Sequence, residues 1–176
     1  MSDWYSRFER FAVQSTTTCL EMTDARYCSR ILEVACGAGT HSEVIAKGFL
    51  ASNGAMLVSS DFSKEMVSKL KERFEKSDYN DCKGCKHVID AETDYTDQST
   101  SNRLDLDKIQ AEQGQFNKLV IGCMADNMCL PFEDVAFDAY VSNLSLMITQ
   151  EPERQIVEAY RVLKPGSKAC FSIWGR

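Results

Sequence analysis

Apolar residues follow two alternating patterns along this chain: short unbroken runs, and longer stretches in which they recur every third or fourth position. The first pattern marks strands buried on both faces, and the second marks helices with one buried face. Trp4, Phe8 and Phe11 fall at i, i+4 and i+7 with Tyr5 beside them, which predicts an amphipathic helix at the start. The polar, β-branched stretch from Ser15 to Thr18 predicts a linker, and 20–30 a second short helix. Ile31-Leu32-Glu33-Val34 is the first buried run, joined to a helix-forming stretch at 41–49 by Ala35-Cys36-Gly37-Ala38-Gly39. After the loop signal Ala51-Ser52-Asn53-Gly54, a second run over 55–61 ends in Asp61. Ser63 can cap the next helix, whose Met66, Val67, Leu70 and Phe74 are spaced for burial. Further strands are predicted at 118–125, 137–143 and 167–173. Before the last of them lies a helix with Pro152 in its first turn, stopped by Lys164-Pro165-Gly166. Strand and helix in this rhythm make right-handed crossovers, so the predicted fold is α/β: a doubly wound, mainly parallel sheet in one domain over 1–176.

Composition adds limits. With 176 residues, 44% of them hydrophobic, and a formal charge of -6, the chain suits one soluble domain with a substantial core. It has no apolar run of about 18 residues or more, so no membrane span is expected. Asp3, Arg7, Glu9 and Arg10 stand where a signal peptide needs an apolar centre, and a cytoplasmic, reducing location is expected. The eight cysteines are accordingly expected as thiols. An acidic chain without a basic cluster is a poor partner for nucleic acid. The stretch 78–114 has nine acids and four bases and so carries most of the negative charge, which predicts a peripheral insertion with a mobile centre over 94–102. Within it Cys82, Cys85 and His87 have part of a zinc-ligand spacing. No fourth ligand or second Cys-x-x-Cys accompanies them, and no metal is expected.

The candidate chemistry lies at the ends of the predicted strands. A strand that passes into a helix through Gly37 and Gly39 makes a turn that a ligand can approach closely. Asp61 closes the second strand, where its carboxylate can accept two hydrogen bonds from a ribose diol, and Phe62 can lie flat against a purine. His41 is the imidazole nearest the turn and the one weak candidate for a general base. A nicotinamide dehydrogenase would share the sheet, but Ser42 occupies the place of the third glycine in its fingerprint.

Five pieces in order carry a family resemblance: Glu33-Val34-Ala35-Cys36-Gly37-Ala38-Gly39-Thr40, Asp61-Phe62-Ser63-Lys64-Glu65-Met66, Ala125-Asp126 with Leu130-Pro131-Phe132, Phe137-Asp138-Ala139, and Arg161-Val162-Leu163-Lys164-Pro165-Gly166. Over about 31–173 the chain resembles the class I S-adenosylmethionine-dependent methyltransferases, within the ubiquinone and menaquinone methyltransferase-like group. Ala35 replaces the first glycine of the motif, and a histidine common after the fourth strand is missing. The resemblance implies a Rossmann-like methyltransferase fold and S-adenosyl-L-methionine as cofactor. It implies a glycine loop of Ala35, Gly37 and Gly39 around the methionine part, Glu33 toward its ammonium, and Asp61 on the ribose hydroxyls. Phe62, Asn127 and Met128 would flank the adenine, with Asp126 facing its amino group and Asn143 at the methionine end. The implied reaction is in-line methyl transfer to a small-molecule acceptor. The alternative is a cofactor-binding or scaffold protein of the same fold without turnover. The N-terminal stretch to about residue 29 could serve as a helical lid. In this family the sheet continues beyond the fifth strand. The apolar last strand is therefore expected to present an open edge that invites missing sequence, self-association or a partner chain.

Overall fold

The computed structural model describes the backbone of residues 2–50, 54–76, 85–91, 103–113 and 118–175, with side chains throughout except at 2–10, 76, 85–91 and 113. Helix α1 (Ser2–Met22) and a 3-10 turn (Ala25–Tyr27) lead into strand β1 (Arg30–Val34), followed by α2 (Thr40–Gly48), β2 (Ala55–Asp61) and α3 (Lys64–Lys76). Next come β3 (Cys85–Ala91), α4 (Leu106–Gln113), β4 (Lys118–Met124) and β5 (Phe137–Asn143). A second 3-10 turn (Leu146–Ile148), α5 (Pro152–Val162) and β6 (Leu163–Ser172) complete the order. The sheet runs β3-β4-β2-β1-β5-β6, and every pairing in it is parallel.

Successive side chains of a strand point to opposite faces, and here each face acquires its own helices. Ile31, Leu57, Val120 and Ala139 pack with Leu20 of α1, Ile45 of α2, and Leu70 and Phe74 of α3. Leu32, Met56, Leu119 and Tyr140 pack on the other side with Leu106 of α4 and with Ala159 and Val162 of α5. The sheet is therefore covered on both faces, as the doubly wound expectation requires. Burying a side chain of the leucine class stabilises the fold by about 1.5–3 kcal/mol, which makes the strands the firm frame on which the loops stand.

Three expectations are corrected. Residues 20–30 do not form a second helix: α1 runs to Met22, a 3-10 turn spans Ala25–Tyr27, and β1 starts at Arg30. Residues 15–18 do not form a linker: α1 runs through them, because Thr17 and Thr18 donate their hydroxyls back to Val13 O (2.9 Å) and Gln14 O (3.1 Å) and so stay within the helix. The stretch 78–114 is not wholly outside the rhythm, since it supplies β3 and α4. An edge strand is paired on one side only and tolerates polar composition, so its acidic surroundings conceal it in the sequence. Helix α4 is held by Arg30, which donates to Asp107 and to Gln110 Oε1 (2.9 Å). The residues expected to be mobile, 94–102, lie outside the described residues, as do Cys82 and the side chains of Cys85 and His87. Cys19, Cys28, Cys36, Cys123, Cys129 and Cys170 are free thiols. Among the described residues no helix is long and apolar enough to cross a membrane. Among the described residues β6 pairs with β5 alone.

Candidate functional site

Parallel register decides which residues meet. Val34 of β1 lies opposite Ser60 of β2 and Ser142 of β5, and Asp61 of β2 lies opposite Met124 of β4. The residues that follow each strand therefore emerge at one end of the sheet. β1 sits between β2, reached by the chain first, and β5, reached after the connection reverses direction. Open α/β sheets bind ligands at such a switch point.

After β1 the chain makes the glycine turn. Ala35, Gly37 and Gly39 have φ of 52°, 55° and 81°, and Gly39 is the N-cap of α2. Ala35 thus takes a left-handed backbone that ordinarily favours glycine. A Cβ on Gly39 would lie 2.3 Å from Leu70 Cδ1 and 3.3 Å from Leu70 Cα, and Leu70 is fully buried. The α2–α3 approach thus requires glycine there. Gly39→Ala is expected to cost about 2 kcal/mol, from a left-handed alanine together with overpacking. Urea unfolding measures it, and an unchanged midpoint would show that Leu70 moves aside freely. Gly37 has open space where a Cβ would point, and its N–H donates to Asp61 Oδ2 at 2.9 Å.

Asp61 links the first two loops. Its Oδ2 accepts from Gly37 N–H, its Oδ1 accepts from Ser63 N–H at 2.9 Å, and its main-chain oxygen accepts from Ala125 N–H at 3.0 Å. Each carboxylate oxygen has capacity for a further donor. Beyond β4, Asp126 Oδ1 accepts from Met128 N–H (2.9 Å) and Asp126 O from Cys129 N–H (2.9 Å), a tight turn that presents Asn127 and Met128. The following loop is clamped by Arg161 of α5, which donates to Leu130 O (3.0 Å) and Phe132 O (2.7 Å).

A cavity of about 400 Å³ opens between these loops, lined by Ala35, Asp61, Phe62, Asp126, Asn127 and Met128 on one side, with Ser145, Ile148, Thr149 and Gln150 completing the wall. Phe62 is 64% exposed at this cavity. Its size is that of a small-molecule site. Among the described residues its charged lining is the two carboxylates of Asp61 and Asp126, which suit a neutral or cationic ligand better than an anion.

Six of the expected residues therefore share one wall, and the others are placed elsewhere. Glu33 is 2% exposed, beneath the glycine turn, where Oε2 accepts from Ser42 Oγ (2.5 Å) and Ser59 Oγ (2.9 Å). Burial pushes its carboxyl up to about 7, and the negative charge of Asp61 adds to this, while the two serine hydrogen bonds oppose it. Gly37 and Gly39 shape the turn from behind. Asn143 joins elements: its Oδ1 accepts from Ser15 Oγ (2.9 Å) and Ser172 Oγ, and its Nδ2 donates to Ala12 O (3.2 Å), tying α1 to β6. His41 stands in the first turn of α2 and is not part of the cavity lining. Ser145, Ile148, Thr149 and Gln150 were not expected. The one sequence signal for them is their position just after a predicted strand, at the ligand-facing end.

Residues 89–171 match a family model described as a methyltransferase domain. The ubiquinone/menaquinone biosynthesis C-methyltransferase UbiE of Ruegeria sp. (strain TM1040) is 35% identical over 69 residues, which cover 39% of this chain and 28% of that protein. Among solved structures, a putative methyltransferase from Bacillus halodurans C-125 superposes with a TM-score of 0.55 at 16% identity, over 89% of this chain and 49% of that one. The [4+2]-cyclase SpnF superposes with a TM-score of 0.57 at 23% identity, over 89% of this chain and 43% of that one. The two structural likenesses bear on the fold. The chain spans less than half the length of each of these three proteins.

Proposed function

We propose that this chain, similar to methyltransferases over 89–171, is an S-adenosylmethionine-dependent methyltransferase that binds S-adenosylmethionine in this cavity and supports in-line methyl transfer to a small-molecule acceptor. The observation that carries the proposal is the joint placement of Asp61 and Asp126 on the wall of a cavity beside the glycine turn. The residues suit this cofactor. Asp61 retains acceptor capacity for a diol, Phe62 and Met128 offer apolar surface for a purine, and Asp126 offers an acceptor for an amino group. A lining without basic side chains tolerates a sulfonium and offers nothing to a pyrophosphate.

When bound, the cofactor supplies a methyl group already activated on sulfur. The contribution of this chain is then to hold the reactants: the rigid turn at Ala35 to Gly39 fixes one end, and the carboxylates fix the nucleoside. Holding two reactants in line is worth up to about 7–11 kcal/mol of a barrier in favourable cases. No general base is assigned: none of the described residues that line the cavity is a histidine.

Titration calorimetry with S-adenosylmethionine, S-adenosylhomocysteine and NAD tests the proposal. Binding of the first two and not the third is expected. A folded protein that binds neither of the first two removes the cofactor reading. Binding without turnover on any acceptor, in a protein of full catalytic length, would leave a cofactor-binding protein.

A further inference from the structure

Helix α5 supports both sides of the cavity. Glu158 and Arg161 hold the loop beyond Asp126, since Glu158 Oε2 accepts from Leu130 N–H at 2.7 Å and Arg161 grips the carbonyls of Leu130 and Phe132. One turn earlier, Gln155 turns toward the other wall. It is 0% exposed and surrounded by hydroxyls. Its Nε2 donates to Ser142 Oγ (3.0 Å) and Tyr140 OH (3.2 Å), with Ser145 Oγ at 3.4 Å, and its Oε1 accepts from Thr149 Oγ1 at 2.6 Å. Ser142 Oγ and Ser145 Oγ are 2.6 Å apart. Of these partners, Ser145 and Thr149 reach the cavity.

The wall they stand on needs such support. It hangs from Leu144, a non-glycine residue at φ 56°, and spans a single 3-10 turn in which Ile148 N–H donates to Ser145 O at 3.0 Å. A short turn with Ile148 79% exposed has little apolar burial of its own. An amide, in contrast, can set the direction of each hydroxyl it touches. Thr149 Oγ1 lies 2.6 Å from Gln155 Oε1 and 3.1 Å from Ser145 O, so its one hydrogen ties the turn to the amide or to its own first residue. Ser142 Oγ accepts from Gln155 Nε2 and shares a hydrogen bond with Ser145 Oγ, so the amide ties both hydroxyls together.

We infer that Gln155 is a positioning residue of the ligand site, which fixes the 145–149 wall and holds the Ser145 and Thr149 hydroxyls in place beside the bound ligand. The inference rests on the cofactor reading above for the identity of the ligand and on the hydrogen-bond network for the role of Gln155. Gln155 lies behind the cavity wall and acts through the two hydroxyls.

The test has two arms. In ligand-free protein, hydrogen exchange of the Ile148 amide should quicken at least about tenfold in Gln155→Leu while amides of β1 and β2 keep their protection. In calorimetry with S-adenosylhomocysteine, Gln155→Leu should weaken binding by about tenfold, as expected when buried hydroxyls lose a partner. Adding Thr149→Val to Gln155→Leu should then weaken binding no further than about twofold, because the two share one interaction. Gln155→Glu keeps the volume but cannot donate, and should lose affinity as well, which serves if the leucine variant does not fold. Unchanged Ile148 exchange in a folded Gln155 variant, or effects of Gln155→Leu and Thr149→Val that simply multiply, overturns the inference. If the wild-type protein binds no S-adenosylhomocysteine, the cofactor reading falls by itself, and the exchange arm alone sustains or overturns the role of Gln155.

Discussion

Asp61→Ala is expected to weaken binding of S-adenosylhomocysteine by tenfold or more and to destabilise the folded chain by about 2–4 kcal/mol. Two partly buried backbone donors, Gly37 N–H and Ser63 N–H, each lie 2.9 Å from a different oxygen of this carboxylate. A hydrogen bond to a charged group is worth about 1.5–3 kcal/mol, and partial access of water to the two N–H groups sets the sum below the full pair. The loss in affinity has two sources, a missing acceptor for the ligand and a glycine turn no longer tied to β2. Asp61→Asn separates them: it keeps one acceptor for the loops and turns an amino group toward the other donor, so it should fall between wild type and alanine in stability. Affinity measured where each variant is fully folded is the decisive number. An alanine variant that binds as tightly as wild type would remove Asp61 from the site, whatever it does for stability.

Much of this arrangement was legible in the chain because it is local. An apolar run, a glycine turn and a following helix are consecutive, as are Ser63 and the helix it precedes, and the parallel sheet then brings the strand ends together by register. Asp61, Phe62 and 126–128 reach the cavity for that reason. Asn143 was misplaced by the same rule. It does end a strand, but Ser15, Ala12 and Ser172, which capture its side chain, come from α1 and β6 and leave no trace near it in sequence. The second wall was invisible for a related reason. Ser145, Thr149 and Gln150 form no motif, and Gln155 carries a burial signal only as a polar residue inside an amphipathic helix, where it would be expected to face water. Its burial is repaid by four hydroxyl partners that only the tertiary fold assembles. β3 was hidden by composition: strand prediction weighs apolar runs, and Cys85–Ala91 has only Val88-Ile89 as a pair of large apolar residues within acidic surroundings.

Glu33→Gln is expected to make the protein more stable at pH 8 and no more stable at pH 4.5. Burial raises the Glu33 carboxyl in the folded chain from its ordinary 4.5 to about 7. The folded state therefore holds a proton that the unfolded state releases between those values, and stability falls as pH rises through that window. Below about 4.5 both states are protonated and the group is neutral in its effect. Above about 7 the carboxylate is ionised in both, and folding bears the cost of burying it. One pKa unit corresponds to about 1.4 kcal/mol, so the cost approaches about 3 kcal/mol. Glutamine keeps an oxygen for Ser42 and Ser59 and has no proton to lose. Titrating groups remote from Glu33 act equally in both proteins, so the difference between their urea-unfolding curves at pH 4.5, 6 and 8 reports this carboxyl together with its coupling to Asp61 and Cys36. It should grow from near zero to about 3 kcal/mol in favour of the variant. A difference that stays flat with pH would mean that the carboxyl ionises without penalty in the folded chain. We propose that this side chain, which costs stability at neutral pH and lies beneath the glycine turn, acts through its charge on a cationic group of the ligand. The same variant should accordingly lose more affinity for S-adenosylmethionine than for its neutral thioether product. Equal losses for the two ligands would place the effect of Glu33 at the ammonium that both carry, and no loss for either would restrict Glu33 to holding Ser42 and Ser59.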